Sequence, residues 1–224
     1  MSWESTVTYY QTINREIRAR LGGLHSAKCI LYSVNFHEIE ICQRAGDWAK
    51  SAQILARAAQ SLEKAGADFI VLCTNTMHKV ADDILRASSI PILHIAEMTA
   101  EELKEKHVDK VLLLGTKYTM EQDFYKTKLI ANGIEVIVPK EVDRCFINRT
   151  IYEELCLGVV SDQARAQFLK IIDEAASLGA QGAMLACTEI GLLIQQKDAP
   201  MPLFDTAQIH AQKAALFALR ERLA

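Results

Sequence analysis

Two stretches constrain the fold more than any others. They are Gly66-Ala67-Asp68-Phe69-Ile70-Val71-Leu72-Cys73-Thr74-Asn75-Thr76 and Gly179-Ala180-Gln181-Gly182-Ala183-Met184-Leu185-Ala186-Cys187-Thr188-Glu189. Each is a Gly-Ala pair, a short apolar run, then small polar residues and a cysteine. A buried parallel strand that ends in a site has this pattern. Open α/β sheets bind ligands outside the carboxyl ends of their strands. Two such ends, far apart in the chain, suggest two half-sites facing each other.

The rest of the chain alternates helices with strands. Ser2 is expected to cap a first helix through Val7, Tyr10, Ile13 and Ile17, ended by Gly22-Gly23. A strand is expected over 27–34, and Asp47 is expected to cap a helix that Gly66 stops. A helix from about Thr76 to Ala87 and a strand at Ile90–His94 come next, then a capping-box pattern at Thr99-Ala100-Glu101-Glu102. Strands follow at 110–114 and 134–138, and helices at 141–157 and 161–178, split at Gly158. A strand at Pro202–Asp205 leads into a last helix from Thr206. The class is therefore α/β with mainly parallel sheets. The seam is placed after His94, with the last helix returning, so the expected halves are 1–96 plus 206–224 and 97–205.

Composition excludes several classes. A net charge of -3 with no Lys/Arg block argues against a nucleic-acid partner. No apolar run nears the ~18 residues of a membrane span. The start, Met1-Ser2-Trp3-Glu4-Ser5, has no signal-peptide pattern, so a cytoplasmic protein is expected. Cysteines at 29, 42, 73, 145, 156 and 187 form no CxxC and no zinc spacing, so no metal is expected and the thiols should be reduced.

Gly66 to Thr74 is eight residues, as is Gly179 to Cys187. Thr74, not Cys73, then lies opposite Cys187, Asn75 opposite Thr188, and Thr76 opposite Glu189. A one-residue slip would match Cys73 to Cys187 instead. Neighbouring strand residues point to opposite faces, so one of Cys73 and Thr74 faces the site and the other packs behind the sheet. Two proton carriers on opposite walls suit inversion at a tetrahedral carbon. A thiolate is a competent base, and a helix beginning just after Cys187 would lower its pKa and hold a carboxylate. The same residues also fit two buried strand–helix junctions with threonine caps and inert thiols.

Cys73-Thr74-Asn75-Thr76-Met77-His78 and Ala186-Cys187-Thr188-Glu189-Ile190-Gly191-Leu192-Leu193 resemble the paired motifs of the aspartate/glutamate racemase family, its bacterial broad-specificity members above all. Met1–Thr6, Leu24-His25-Ser26, Phe36-His37-Glu38-Ile39, Leu114-Gly115-Thr116, Thr119 and Phe204-Asp205-Thr206 are similar to family segments as well, so the likeness runs through the chain. The resemblance implies two similar Rossmann-like domains with the site in the cleft between them, and a homodimer. It also implies two-base racemisation of a free amino acid without pyridoxal phosphate, metal or other cofactor. Cys187 falls on the family's second catalytic cysteine and Thr74 on the place of the first. Asn75, Thr76, Thr116, Thr119 and Thr188 fall where members bind the substrate's carboxylate and ammonium. Glu189 either orients a thiol or starts a helix, and His78 and His210 are expected to be structural.

Three departures bear on that reading. Thr74 stands where the family usually has cysteine. Cys156 and Ile41 stand where aspartate-specific members have a Lys and an Arg, with Arg44 near by, which leaves the side-chain preference open. The Gly-rich first strand of the family is not seen ahead of Met1, so a first sheet lacking a strand is expected. The alternatives are a single-thiol decarboxylase or isomerase of the same superfamily, and a non-catalytic amino-acid-binding protein.

Overall fold

Residues 1–221 are described by the computed structural model. They divide into two compact units, one of 1–73, 77–94 and the chain from 211 onward, the other of 74–76 and 95–210.

In the first unit, α1 (Trp3–Leu21) begins as expected: the Ser5 N–H donates to Ser2 Oγ at 3.3 Å. It stops where Gly22 turns to φ 74°, a backbone conformation that favours glycine. α2 (Phe36–Ala45) is capped by Asn35, and α3 (Trp48–Lys64) by Asp47, whose Oδ1 accepts from the Lys50 N–H at 2.9 Å. β1 (Ile70–Val71) and β2 (Ile92–Leu93) pair in parallel, with Ile70 opposite Ile92. Between them lie a 3-10 turn (Thr76–Val80) and α4 (Ala81–Leu85). Ile39, Leu55, Ile70, Leu72, Met77 and Ile84 form the core of this unit.

Several expectations are corrected here. The run 27–34 is not a strand: it has no ladder partner among the described residues, and Ile30, Leu31 and Tyr32 are exposed. A strand is defined by its pairing, and β propensity without a neighbour does not make one. The first signature stretch contributes only two ladder residues, for the same reason. The helix expected over 76–87 is broken into a tight turn and one short α segment. Thr99 caps nothing, because it sits inside α5 (Ile95–Glu105) and its hydroxyl donates back to the Ile95 carbonyl at 2.8 Å.

The second unit continues from α5 through β3 (Lys110–Gly115), α6 (Lys117–Glu121), α7 (Asp123–Ala131) and β4 (Glu135–Ile137). α8 (Glu141–Glu153) and α9 (Asp162–Ser177) are split at Gly158, as the sequence indicates. β5 (Gly182–Ala186), α10 (Ile190–Leu193) and β6 (Leu203–Asp205) follow, and α11 (Thr206–Glu221) begins here. The four strands form one parallel sheet in the order β4-β3-β5-β6.

Strand alternation sorts the apolar residues onto two faces. Leu112 and Leu114 of β3 join Ala183 and Leu185 of β5 against Phe168 and Ile172 of α9. Val111 and Leu113 join Met184 against Leu103, Tyr125 and Leu129 on the other face. Both faces are covered, which explains why these strands read as continuous apolar runs.

Gly115 ends β3 opposite Ala186. A Cβ there would lie 2.8 Å from the Ala186 carbonyl oxygen and 3.2 Å from Thr119 Cβ, too close for the ladder to persist unchanged. Gly115→Ala is expected to lower stability by about 1–3 kcal/mol, the usual cost of overpacking. Urea unfolding, read as a lower midpoint at unchanged slope, checks this.

Candidate active site

The eight residues singled out in the sequence, Thr74, Asn75, Thr76, Thr116, Thr119, Cys187, Thr188 and Glu189, are all buried and all belong to the second unit. Three of them continue the sheet. Thr116 follows β3, and Cys187 and Thr188 follow β5, so the ladder that sets Gly115 opposite Ala186 also brings these side chains to neighbouring strand ends. The segment 74–76 is tied to the same edge by hydrogen bonds. Thr76 Oγ1 and Thr116 Oγ1 share one at 2.9 Å, either hydroxyl donating. Thr116 Oγ1 is 3.3 Å from Thr119 Oγ1 and accepts from the Thr119 N–H at 3.4 Å. Thr116 is thus a helix cap and also part of a buried hydroxyl network. Small hydroxyls fit here because each can donate or accept as a ligand requires.

Asn75 is held by a residue not counted above as a site residue. Its Nδ2 donates to Thr206 Oγ1 at 3.1 Å, and the Thr206 hydroxyl donates to the Leu185 carbonyl at 2.9 Å. Thr206 follows β6, where Asp205 pairs with Leu185. The available signal was its position, one residue past the end of a strand adjacent to β5. The neighbouring Asp205 carboxyl is pushed up to about 6 by burial, against the pull of the Gln208 and Ala207 N–H groups. Gly191 packs so closely on this carboxylate that a Cβ would collide with it.

Cys187 extends the alternation of Ala183 and Leu185 and reaches the apolar cluster that also contains Ile190 and Leu193. Cys156, from the 3-10 turn Leu155–Leu157, packs against the same cluster. The Cys187 thiol donates to Glu189 Oε2 at 3.1 Å, and the Thr188 hydroxyl donates to the same oxygen at 2.8 Å. Burial raises the Cys187 pKa well above the ordinary thiol value, and the Glu189 charge raises it further. This corrects the expectation of a thiol acidified by a helix start. α10 spans only four residues, too few for an appreciable dipole, and the carboxylate beside the sulfur acts in the opposite direction. At neutral pH Cys187 is a thiol. Cys156 is likewise pushed up to about 12, by burial first and then by Glu189.

The Cys73 thiol turns back to the Val71 carbonyl at 3.3 Å, and burial pushes it up to about 12. Thr74 is buried at the start of the segment that carries Asn75 and Thr76. Arg44 lies on the surface of α2, 3.5 Å from Glu40. His78 packs against His94, ring centres 4.4 Å apart and planes tilted by 59°, and His210 is fully buried. Among the described residues no three His, Cys, Asp or Glu side chains converge as metal ligands, and no helix is long and apolar enough to cross a membrane.

Comparison with known proteins agrees with this architecture. The broad specificity amino-acid racemase RacX of Bacillus subtilis (strain 168) is 31% identical over 150 residues, 66% of this chain and 64% of its own length. The chain thus spans less than two thirds of that relative. A crystal structure of a candidate Asp/Glu racemase from Yersinia pestis superposes with a TM-score of 0.89 at 56% identity, covering 97% of this chain and 95% of the other. That of an aspartate racemase homologue from Pyrococcus horikoshii OT3 gives 0.82 at 38% identity, covering 96% and 94%. The profile of the Asp/Glu/Hydantoin racemase family matches residues 1–214, and the chain belongs to that family.

Proposed function

We propose that the protein is a cofactor-independent racemase of free amino acids. Cys187 is the acid/base on one face of the substrate's Cα, and Thr74 is its counterpart on the other. The observation that carries this reading is a buried thiol hydrogen-bonded to a carboxylate at 3.1 Å, beside a set of buried threonine hydroxyls at adjoining strand ends. Asn75, Thr76, Thr116, Thr119 and Thr188 are proposed to hold the α-carboxylate and ammonium, and Glu189 to orient Cys187. Relatives described as a broad specificity amino-acid racemase and an aspartate racemase homologue support the substrate class. Six free cysteines agree with a cytoplasmic setting. Trp3, Val7 and Tyr10, exposed on one side of α1, agree with a homodimer, which sedimentation would read as twice the monomer mass.

The thiol state of Cys187 fixes the order of steps. To act as a base, Cys187 first passes its proton along the 3.1 Å hydrogen bond to Glu189, giving a thiolate and a neutral carboxylic acid. The thiolate takes the α-proton, and the electron pair of the broken C–H bond moves into the carboxylate as an enediolate. Thr74 delivers a proton to the opposite face and regains one from solvent. A hydroxyl is a far weaker acid and base than a thiol, so the two directions start from unequally populated forms of the enzyme. Enantiomers have equal free energies, so kcat/KM must be the same in both directions. The individual kcat and KM values are free to differ.

Cys187→Ala is expected to reduce deuterium exchange at Cα by about 10² or more, the usual worth of a positioned acid/base, measured by proton NMR in heavy water. Wild-type exchange in this variant would refute the assignment, in which Cys187 acts on the L-enantiomer. Thr74→Cys should raise kcat from the D-enantiomer by a similar factor and bring the two kcat values together. In the wild type the thiolate forms by internal transfer to Glu189 with no net loss of a proton, so kcat/KM should show no rise through pH ~8.5, the ordinary thiol value. Glu189→Gln removes that acceptor, so Cys187 must lose its proton to solvent: kcat should fall and a rising alkaline limb should appear that the wild type lacks.

A further inference from the structure

The turn that carries Thr116 and Thr119 is held from outside the sheet by a residue to which the proposed chemistry assigns no part. A helix start leaves its first N–H groups without intrahelical partners. In α6 the Thr119 N–H is taken locally, by Thr116 Oγ1 at 3.4 Å. The Lys117 N–H, the first of the helix, is taken by Asn148 Oδ1 at 2.9 Å. Asn148 stands half-buried on α8, 31 residues further along the chain. Packing fixes its place: its neighbours Ile147 and Ile151 sit in the buried cluster that holds Leu112 and Leu114 of β3. α8 is followed by the 3-10 turn whose Cys156 packs against the cluster containing Cys187. One segment of chain thus braces both strand ends, the one that bears the Thr116 hydroxyl and the one that bears the thiol.

The brace bears on the hydroxyl network more than on the fold. Thr116 Oγ1 meets Thr76 Oγ1 at 2.9 Å and Thr119 Oγ1 at 3.3 Å, and such bonds weaken steeply outside a narrow range of distance and angle. The Thr116 carbonyl and the Lys117 N–H share one rigid peptide plane, so a clamp on that N–H fixes how Thr116 leaves the strand. Water could satisfy the same N–H, and the fold would lose little, but water would not tie the turn to α8. We propose that Asn148 is a positioning residue for the racemase: its amide oxygen, borne by α8, sets the Thr116–Thr119 turn so that the hydroxyls there bind the polar groups of the substrate. This inference rests on the racemase reading of the same site and adds to it a residue that acts through the Lys117 N–H.

The test compares the full chain with Asn148→Leu, which keeps the size of the side chain and removes the acceptor, and with Asn148→Asp, which keeps an acceptor oxygen. The common amino acids are screened for deuterium exchange at Cα by proton NMR, and the fastest is used for kinetics. Asn148→Leu is expected to speed amide exchange at Lys117. It should also raise KM by about 10-fold, the upper range for one hydrogen bond. Its kcat should stay within about 3-fold of wild type, because uniform binding is lost and Cys187 stands on the other strand. Asn148→Asp should restore both KM and the protection of the Lys117 amide. A wild-type KM in Asn148→Leu would overturn the proposal and leave the racemase reading standing. A fall in kcat together with a Tm loss of about 5 °C or more would also overturn it, by showing a merely structural role, as would failure of Asn148→Asp to restore KM. Absence of Cα exchange from every amino acid in the wild type would overturn the racemase reading, and this inference with it.

Discussion

The backbone ladder between β3 and β5 sets Gly115 against Ala186, and the chemistry at the site depends on that register. One residue past each of these positions lie Thr116 and Cys187. A slip by one residue would turn Cys187 out of the cluster it shares with Ala183 and Leu185 and reverse every side chain behind it. Two features prevent such a slip. Both faces of the sheet are covered by helices, so neither set of side chains can move to solvent. Gly115 also admits a close approach of the Ala186 carbonyl that any Cβ would block.

The electrostatics of the thiol follow from the same arrangement. Burial and Glu189 both favour the protonated sulfur, so the resting group is a proton donor whose acceptor is already in place at 3.1 Å. The first signature stretch offers no comparable group. Cys73 is committed to the carbonyl of its own strand, and Thr74 occupies the position that the equal spacing from the Gly-Ala pairs assigned to the first proton carrier. The proposed pair is therefore chemically unequal, and for a racemase thermodynamics confines such an inequality to turnover and binding, with their ratio fixed.

Much of this was legible in the sequence. Caps at Ser2 and Asp47, the stop at Gly158, and the parallel sheet of the second unit follow from local rules, because each depends on neighbours a few residues away or on an uninterrupted apolar run. Six of the eight proposed site residues were singled out by aligning two repeats of one pattern on their Gly-Ala pairs, and Thr116 and Thr119 by the family resemblance. The failures depend on partners distant in sequence. The 27–34 run has the composition of a strand, yet pairing is a property of the neighbour as well as of the segment. Thr206 was missed because its role as anchor of Asn75 exists only once β6 lies beside β5. The direction of the Cys187 shift was missed because the sequence shows a helix to follow but not its length of four residues, nor a carboxylate turned toward the sulfur.

The most direct test of the account is to follow a single amino-acid enantiomer in heavy water at early times, resolving deuterium in recovered substrate from deuterium in product. Two unlike proton carriers on opposite faces predict that the inverted product carries deuterium at Cα while recovered substrate carries almost none. Deuterium in recovered substrate without inversion would contradict the account in favour of a single thiol serving one face. Binding of the amino acid with no deuterium in either enantiomer would contradict it in favour of a protein that holds amino acids without turning them over.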